Sequence, residues 1–141
     1  MKIVVGQGSC GIAAGAGRVY DALAQALSGT AHELTIAGCI GMCYLEPIVD
    51  LYEESGALTR LVRVQEKDVP TIARAVETGD RNALAALVIT DDDKAFLDQQ
   101  TRIALRHCGV INPEKIEDYL ADGGYSSIRK VLASMSPEDV I

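Results

Sequence analysis

The sequence predicts an α/β chain: a β-α-β-β-β-α sandwich over its first ~80 residues, then a linker and a small helical segment. Three observations predict it. Short β-branched or alternating runs recur with glycine-bearing turns between them. Two stretches carry apolar residues at helical spacing, and glycines stand where those helices should stop.

Lys2 to Val5 is short and β-branched and runs into Gly6 and Gly8, as a buried strand does. From about Ala14 to Ser28, Val19, Tyr20, Leu23 and Leu27 recur with the helical period, while Arg18, Asp21 and Gln25 face the other way. Gly29 ends that helix. His32 to Ala37 alternates as a strand, and Gly38 to Cys43 forms a turn. Ile48 to Tyr52 and Leu58 to Val64 read as two strands joined through Glu53-Glu54-Ser55-Gly56. Asp68 can cap a helix with the stripe Val69, Ile72, Ala73 and Val76, stopped by Gly79. This order matches a thioredoxin-like sandwich in miniature, assigned to residues 1–80.

Residues 81–94 lack a firm pattern and are expected to be a linker, with Asp91-Asp92-Asp93 as a solvated loop. Residues 95–141 are expected to be helical. Phe96, Leu97, Gln100, Ile103, Ala104, His107 and Cys108 line one face of a helix ending at Gly109. Asn112-Pro113-Glu114 starts another through Leu120, and Ile128, Val131 and Leu132 mark a third. Ser136-Pro137-Glu138-Asp139 is a helix opening, with Ser as N-cap, Pro in the first turn and acids at the positive end of the dipole. The chain ends two residues later, so its C-terminus is expected to be truncated or processed.

Apolar residues make up 48% of the 141, enough for a core, and one Phe with no Trp makes that core aliphatic. The net charge of −7 argues against nucleic acid and against anionic membrane surfaces, both of which need a basic face. The N-terminus shows no signal-peptide pattern, and no stretch approaches the ~18 apolar residues of a membrane span. A reducing, cytoplasmic setting is expected, where clustered cysteines point to metal or redox chemistry before disulfides.

Cys10 lies between the first strand and first helix, and Cys39 and Cys43 follow the second strand with C-x3-C spacing. The sandwich brings those loops to one edge. Thiolates at glycine-rich turns hold soft metals, above all iron–sulfur clusters. Two buried, inert thiols are the plain alternative at Cys39 and Cys43. Zinc is the competing metal and would want a fourth N, S or O ligand, which His32 in a strand and His107 on a distant helix do not offer. Cys108 falls on an apolar stripe and reads as a core residue. Gly6-Gln7-Gly8-Ser9-Cys10-Gly11 has the G-x-G-x-x-G spacing and follows a strand, but no acidic residue ends a second strand about 20 positions on, as a ribose contact would need, and the glycines read better as a tight strand–helix turn. No catalytic Ser/His/Asp set or carboxylate pair has supporting context.

Cys10-Gly-Ile-Ala-Ala-Gly-Ala and Gly38-Cys-Ile-Gly-Met-Cys-Tyr-Leu-Glu-Pro47 resemble the N-terminal thioredoxin-like [2Fe–2S] ferredoxin domain of NADH-binding flavoprotein subunits. Such subunits serve NAD(P)-dependent hydrogenases, formate dehydrogenases and complex I-like enzymes. Gln100 to Tyr119, Gly123-Gly-Tyr125 and Ser136 to Ile141 resemble the opening of the flavin- and NADH-binding core. The resemblance implies a [2Fe–2S] cluster on Cys10, Cys39 and Cys43, with FMN, NADH and further clusters only in the remaining core or partner chains. It implies no enzyme activity for this chain alone. Related domains use C-x4-C and then C-x3-C; Cys10 matches the second position, and the first falls at Val4 or Val5, which cannot ligate iron. Two readings follow: an electron-transfer module with the fourth ligand from solvent, an unexpected residue or a partner, or a cluster-free docking domain of the same subunit.

Overall fold

β1 (Lys2–Gly6) is the inner strand on which the sheet is built. Its side chains alternate between two buried faces: Ile3 and Val5 enter the main core, and Val4 faces the opposite side. In the computed structural model, which describes residues 1–141, β2 (Glu33–Ala37) pairs parallel to β1 with Lys2 opposite Glu33 and Gly6 opposite Ala37. β3 (Val49–Tyr52) pairs antiparallel on the other side of β1, and β4 (Leu58–Leu61) antiparallel to β3. The strand order is β2-β1-β3-β4. This is the expected α/β sandwich.

Three helices belong to this part: α1 (Ser9–Ala14), α2 (Ala16–Ala26) and α3 (Val69–Thr78). The apolar stripes of α2 and α3 meet the sheet through Val19, Leu23, Ile72 and Val76, closing the main core with Leu51 and Leu61. Gly79 ends α3 in the left-handed conformation at φ 77°, as its position predicts. Where one helix is expected from Ala14 to Ser28, there are two. Gly15, at φ 106°, donates back to the Gly11 and Ile12 carbonyls and breaks the run. Helical structure therefore begins at Ser9, so Cys10 stands inside the first turn of α1 and not ahead of it.

The stretch expected as a linker, 81–94, is packed. Leu84 is fully buried in the main core. Val62 N–H donates to the Leu87 carbonyl (2.8 Å), Ile89 N–H donates to the Arg60 carbonyl (3.0 Å), and Leu61 and Val88 form an antiparallel bridge. The chain thus extends the sheet edge beyond β4. Leu84 to Ile89 is continuously apolar, which carries no period and hides an edge strand from pattern reading. The three acids are not a loop either. Thr90 caps α4 (Asp91–Asp98), its hydroxyl accepting from Asp93 N–H at 3.2 Å, and the acids occupy the positive end of the helix.

The helix expected to run through Cys108 and end at Gly109 stops at Asp98, and residues 99–115 cross the second face of the sheet as turns. They are pinned by polar contacts, which hydrophobic periodicity does not report. Arg102 donates to the Ile40 carbonyl at 3.2 Å, and buried Asn112 donates through Nδ2 to Thr35 Oγ1 at 3.1 Å. Gly109 (φ 79°) is wedged so closely against Ile40 that a Cβ there would lie 1.9 Å from its Cγ2. Ile103, expected on the buried stripe, is 77% exposed. α5 (Ile116–Ala121) begins after the Asn112 turn, α6 (Ser126–Ser134) follows, and α7 (Pro137–Val140) carries the Ser136–Asp139 capping box. No helix is long and apolar enough to cross a membrane.

Leu84→Ala is expected to lower unfolding free energy by about 2–5 kcal/mol, whereas Ile103→Ala should stay within about 0.5 kcal/mol. Urea titrations of both variants check this; an unchanged midpoint for Leu84→Ala would separate residues 81–90 from the core.

Candidate metal centre

The parallel pairing of β1 and β2 delivers two loops to the same end of the sheet. Gln7 N–H continues the ladder by donating to the Ala37 carbonyl at 2.8 Å, which aligns the chain leaving β1 with the chain leaving β2. The first turns into α1 and carries Cys10. The second carries Cys39 and then Cys43, in a single 3-10 turn over Cys43–Leu45. That loop is short of regular structure but well anchored: Met42 and Leu45 sink into a second apolar cluster with Ile40, Ile48 and Val62. Arg63 N–H donates to the Leu45 carbonyl at 2.8 Å and fixes its far end.

The three sulfurs lie within 4.8 Å of one another. Cys10 Sγ is 3.3 Å from Cys39 Sγ, and Cys39 Sγ is 3.8 Å from Cys43 Sγ. Gly41, at φ 97°, turns its N–H onto Cys39 Sγ at 3.2 Å. Gly8 makes the approach possible: a Cβ there would stand 2.6 Å from the Cys39 Cβ. The structure therefore brings together all three residues that the sequence singles out. His32, His107 and Cys108 stand outside the group. His107 instead pairs with Asp122 at 2.6 Å.

The thiols differ in acidity. Hydrogen bonds from Cys43 and then Cys39 pull the Cys10 pKa below the ordinary thiol value. Burial pushes Cys39 up to about 12, against the opposing hydrogen bond from Gly41. Donation to the Cys10 sulfur raises Cys43. Of the three, Cys10 is therefore the first to give up its proton and Cys39 is held in the thiol form.

The fold around this site matches solved structures. The thioredoxin-like [2Fe–2S] ferredoxin of Aquifex aeolicus superposes with a TM-score of 0.53 and 20% identity, covering 64% of this chain and 96% of that one. A cysteine-to-serine variant of the same ferredoxin gives 0.53 and 22%, covering 64% and 98%. The fold is that of a thioredoxin-like ferredoxin. In sequence, 43 residues are 51% identical to the HndC subunit of the NADP-reducing hydrogenase of Solidesulfovibrio fructosivorans. That match spans 30% of this chain and 9% of the relative. No family model matches the chain.

Glu46 is the site residue that sequence reading misses. Its carboxylate is buried beneath both glycine turns: Oε2 would lie 3.1 Å from a Cβ on Gly11 and 3.3 Å from one on Gly6. Oε2 accepts from Ile48 N–H at 2.9 Å, while Oε1 has no partner. Burial, followed by the nearby Asp50 charge, raises the Glu46 pKa, and the Glu46 charge in turn opposes a thiolate at Cys10. Asp50 itself is held by a bidentate pair with Arg60 at 2.7 and 2.6 Å. The available signal was the need to explain why Gly6 and Gly11 flank Cys10.

In the metal-free chain, iodoacetamide near neutral pH should alkylate Cys10 first and Cys39 last. The Cys10 rate should level off at lower pH than a free thiol, because its thiolate forms earlier; the Cys39 rate should keep rising into alkali. Peptide mapping across a pH series reads both, and equal rates at the two positions would contradict this order of acidity.

Proposed function

We propose that this chain is an electron-transfer module in which Cys10, Cys39 and Cys43 hold a [2Fe–2S] cluster, serving a multi-subunit NAD(P)-linked redox complex. The convergence of three sulfurs at one edge of a thioredoxin-like sheet carries this reading. The fold match to a [2Fe–2S] ferredoxin and the sequence match to a hydrogenase subunit support it. The donor set fits: soft thiolates, a backbone N–H already aimed at one sulfur, and glycines that keep Cβ atoms out of the approach. Neither histidine joins the group, which favours iron–sulfur chemistry over a zinc site of mixed ligands.

When bound, the cluster supplies storage of one electron at the sheet edge. The chain's residues set its surroundings. Met42 and Leu45 hold the C-x3-C turn rigid, and Cys43 and the flanking Ile12 and Tyr44 reach solvent, where a redox partner can approach. Flavin and nicotinamide belong to a larger flavoprotein core or to partner chains, because hydride must be split into single electrons before a cluster can carry them. A cytoplasmic, reducing setting keeps the thiols available. The second reading, a cluster-free docking domain of the same subunit, is favoured by Val4 and Val5 and by exposed Ile103 and Leu105 on the C-terminal half.

Protein purified without oxygen should show visible absorption with iron and sulfide. Cys10→Ala, Cys39→Ala and Cys43→Ala should each bleach it, and Cys108→Ala should not. Retained colour in the Cys10 variant would sink the three-thiol site, and colourless wild-type protein would favour the docking reading. Alone, with or without added flavin, the chain should oxidise NADH no faster than free flavin does. Turnover above that background would contradict the assigned division of labour.

A further inference from the structure

The three sulfurs stand close to the spacing that a single metal ion imposes. Two thiolates bound at about 2.3 Å to one tetrahedral ion lie about 3.8 Å apart. Cys39 Sγ is 3.8 Å from Cys43 Sγ and 3.3 Å from Cys10 Sγ, and all three lie within 4.8 Å of one another. We propose that, in the chain that carries no cluster, Cys10, Cys39 and Cys43 bind one zinc ion whose remaining position is taken by solvent water. This zinc form goes beyond the electron-transfer reading and does not depend on it.

A single ion suits the donor set. Zinc takes three protein ligands and a water at open sites, with no need of a fourth side chain. No histidine, aspartate or glutamate enters the group, so its protein ligands are all thiolates, which zinc accepts readily. Cys43 is exposed and Cys10 and Cys39 are half-buried, which leaves one side of the ion facing water. Three thiolates on a divalent ion leave one negative charge, and the Gly41 N–H, 3.2 Å from Cys39 Sγ, opposes it. In the binding step the remaining thiol protons pass to solvent, three zinc–sulfur bonds form, and all but one of the ion's waters leave. Zinc stays divalent, and no electron changes hands.

The ion also ties together two separate parts of the fold. Cys10 lies in α1, whereas Cys39 and Cys43 lie in the loop after β2. Zinc between them closes the crossover from Cys10 to Cys39, 29 positions on, much as a covalent cross-link does. A chain without a cluster is thereby held as rigidly at the sheet edge as one that carries it.

The test is titration of the metal-free 141-residue chain under nitrogen, with cobalt(II) as coloured probe and zinc as competitor. Cobalt should give the intense visible bands of tetrahedral thiolate coordination, saturating at one ion per chain, and one equivalent of zinc should bleach them. In the wild-type protein zinc should slow iodoacetamide alkylation of Cys10, Cys39 and Cys43 several-fold and leave Cys108 unchanged. Cys10→Ser, Cys39→Ser and Cys43→Ser should each weaken zinc binding at least about tenfold, and Cys108→Ser should not. Weak bands of octahedral type, one ion shared by two chains, or protection of fewer than three of these thiols would each overturn the proposal. Reconstitution with iron and sulfide reads the cluster separately. Colour there with no zinc binding here rejects the zinc site alone; zinc binding with no such colour supports the zinc site and rejects the cluster.

Discussion

The parallel pairing of β1 with β2 is the constraint on which the rest depends. Parallel neighbours cannot be joined by a tight turn, so the chain between them must cross over, and here it does so as α1 and α2. Their C-terminal ends then leave the sheet side by side, with Gly6 opposite Ala37. Everything at the site follows from that alignment. The loop after β1 has room to turn into α1 only because its glycines yield to Glu46 and Cys39. A change of one residue in the register would separate the thiols and turn Val5 out of the core.

The second requirement is rigidity in a loop that has almost no backbone ladder of its own. Apolar side chains supply it. Ile40, Met42 and Leu45 are interspersed with Cys39 and Cys43, so one short stretch of chain both presents sulfur and drives hydrocarbon inward. Inside this arrangement the buried Glu46 carboxylate is an expense, since one oxygen has no partner. It fills the space under two glycines, and its negative field sits behind the thiols. The site is thus built from a mobile-looking sequence that tertiary packing makes stiff.

Much of the first half was legible in the sequence because its patterns are strong. Helical stripes at Val19 and Leu23 and at Ile72 and Val76, short β-branched strands and stop-glycines all agree with one another. The three cysteines were legible because the predicted topology places their loops at one edge. What escaped were features without a period. Leu84 to Ile89 is apolar throughout and reads as neither strand nor helix, yet it closes the sheet edge. Residues 99–115 looked helical from spacing alone, whereas Arg102 and Asn112 tie them to the sheet by single hydrogen bonds that no hydropathy pattern encodes. Glu46 escaped because a charged residue next to proline reads as surface until the glycines above it are seen.

One hydrogen bond joins the two halves of the molecule at a telling place. Tyr44, next to Cys43, donates to Asp93 at 2.6 Å, and the same carboxylate accepts from Thr90 as part of the α4 cap. Asp93 is therefore a joint rather than decoration, serving the helix start and the thiol loop at once. A substitution there would be felt 49 positions away in the chain, at the turn that carries sulfur. The C-terminal half thereby becomes a mechanical witness to the state of that turn.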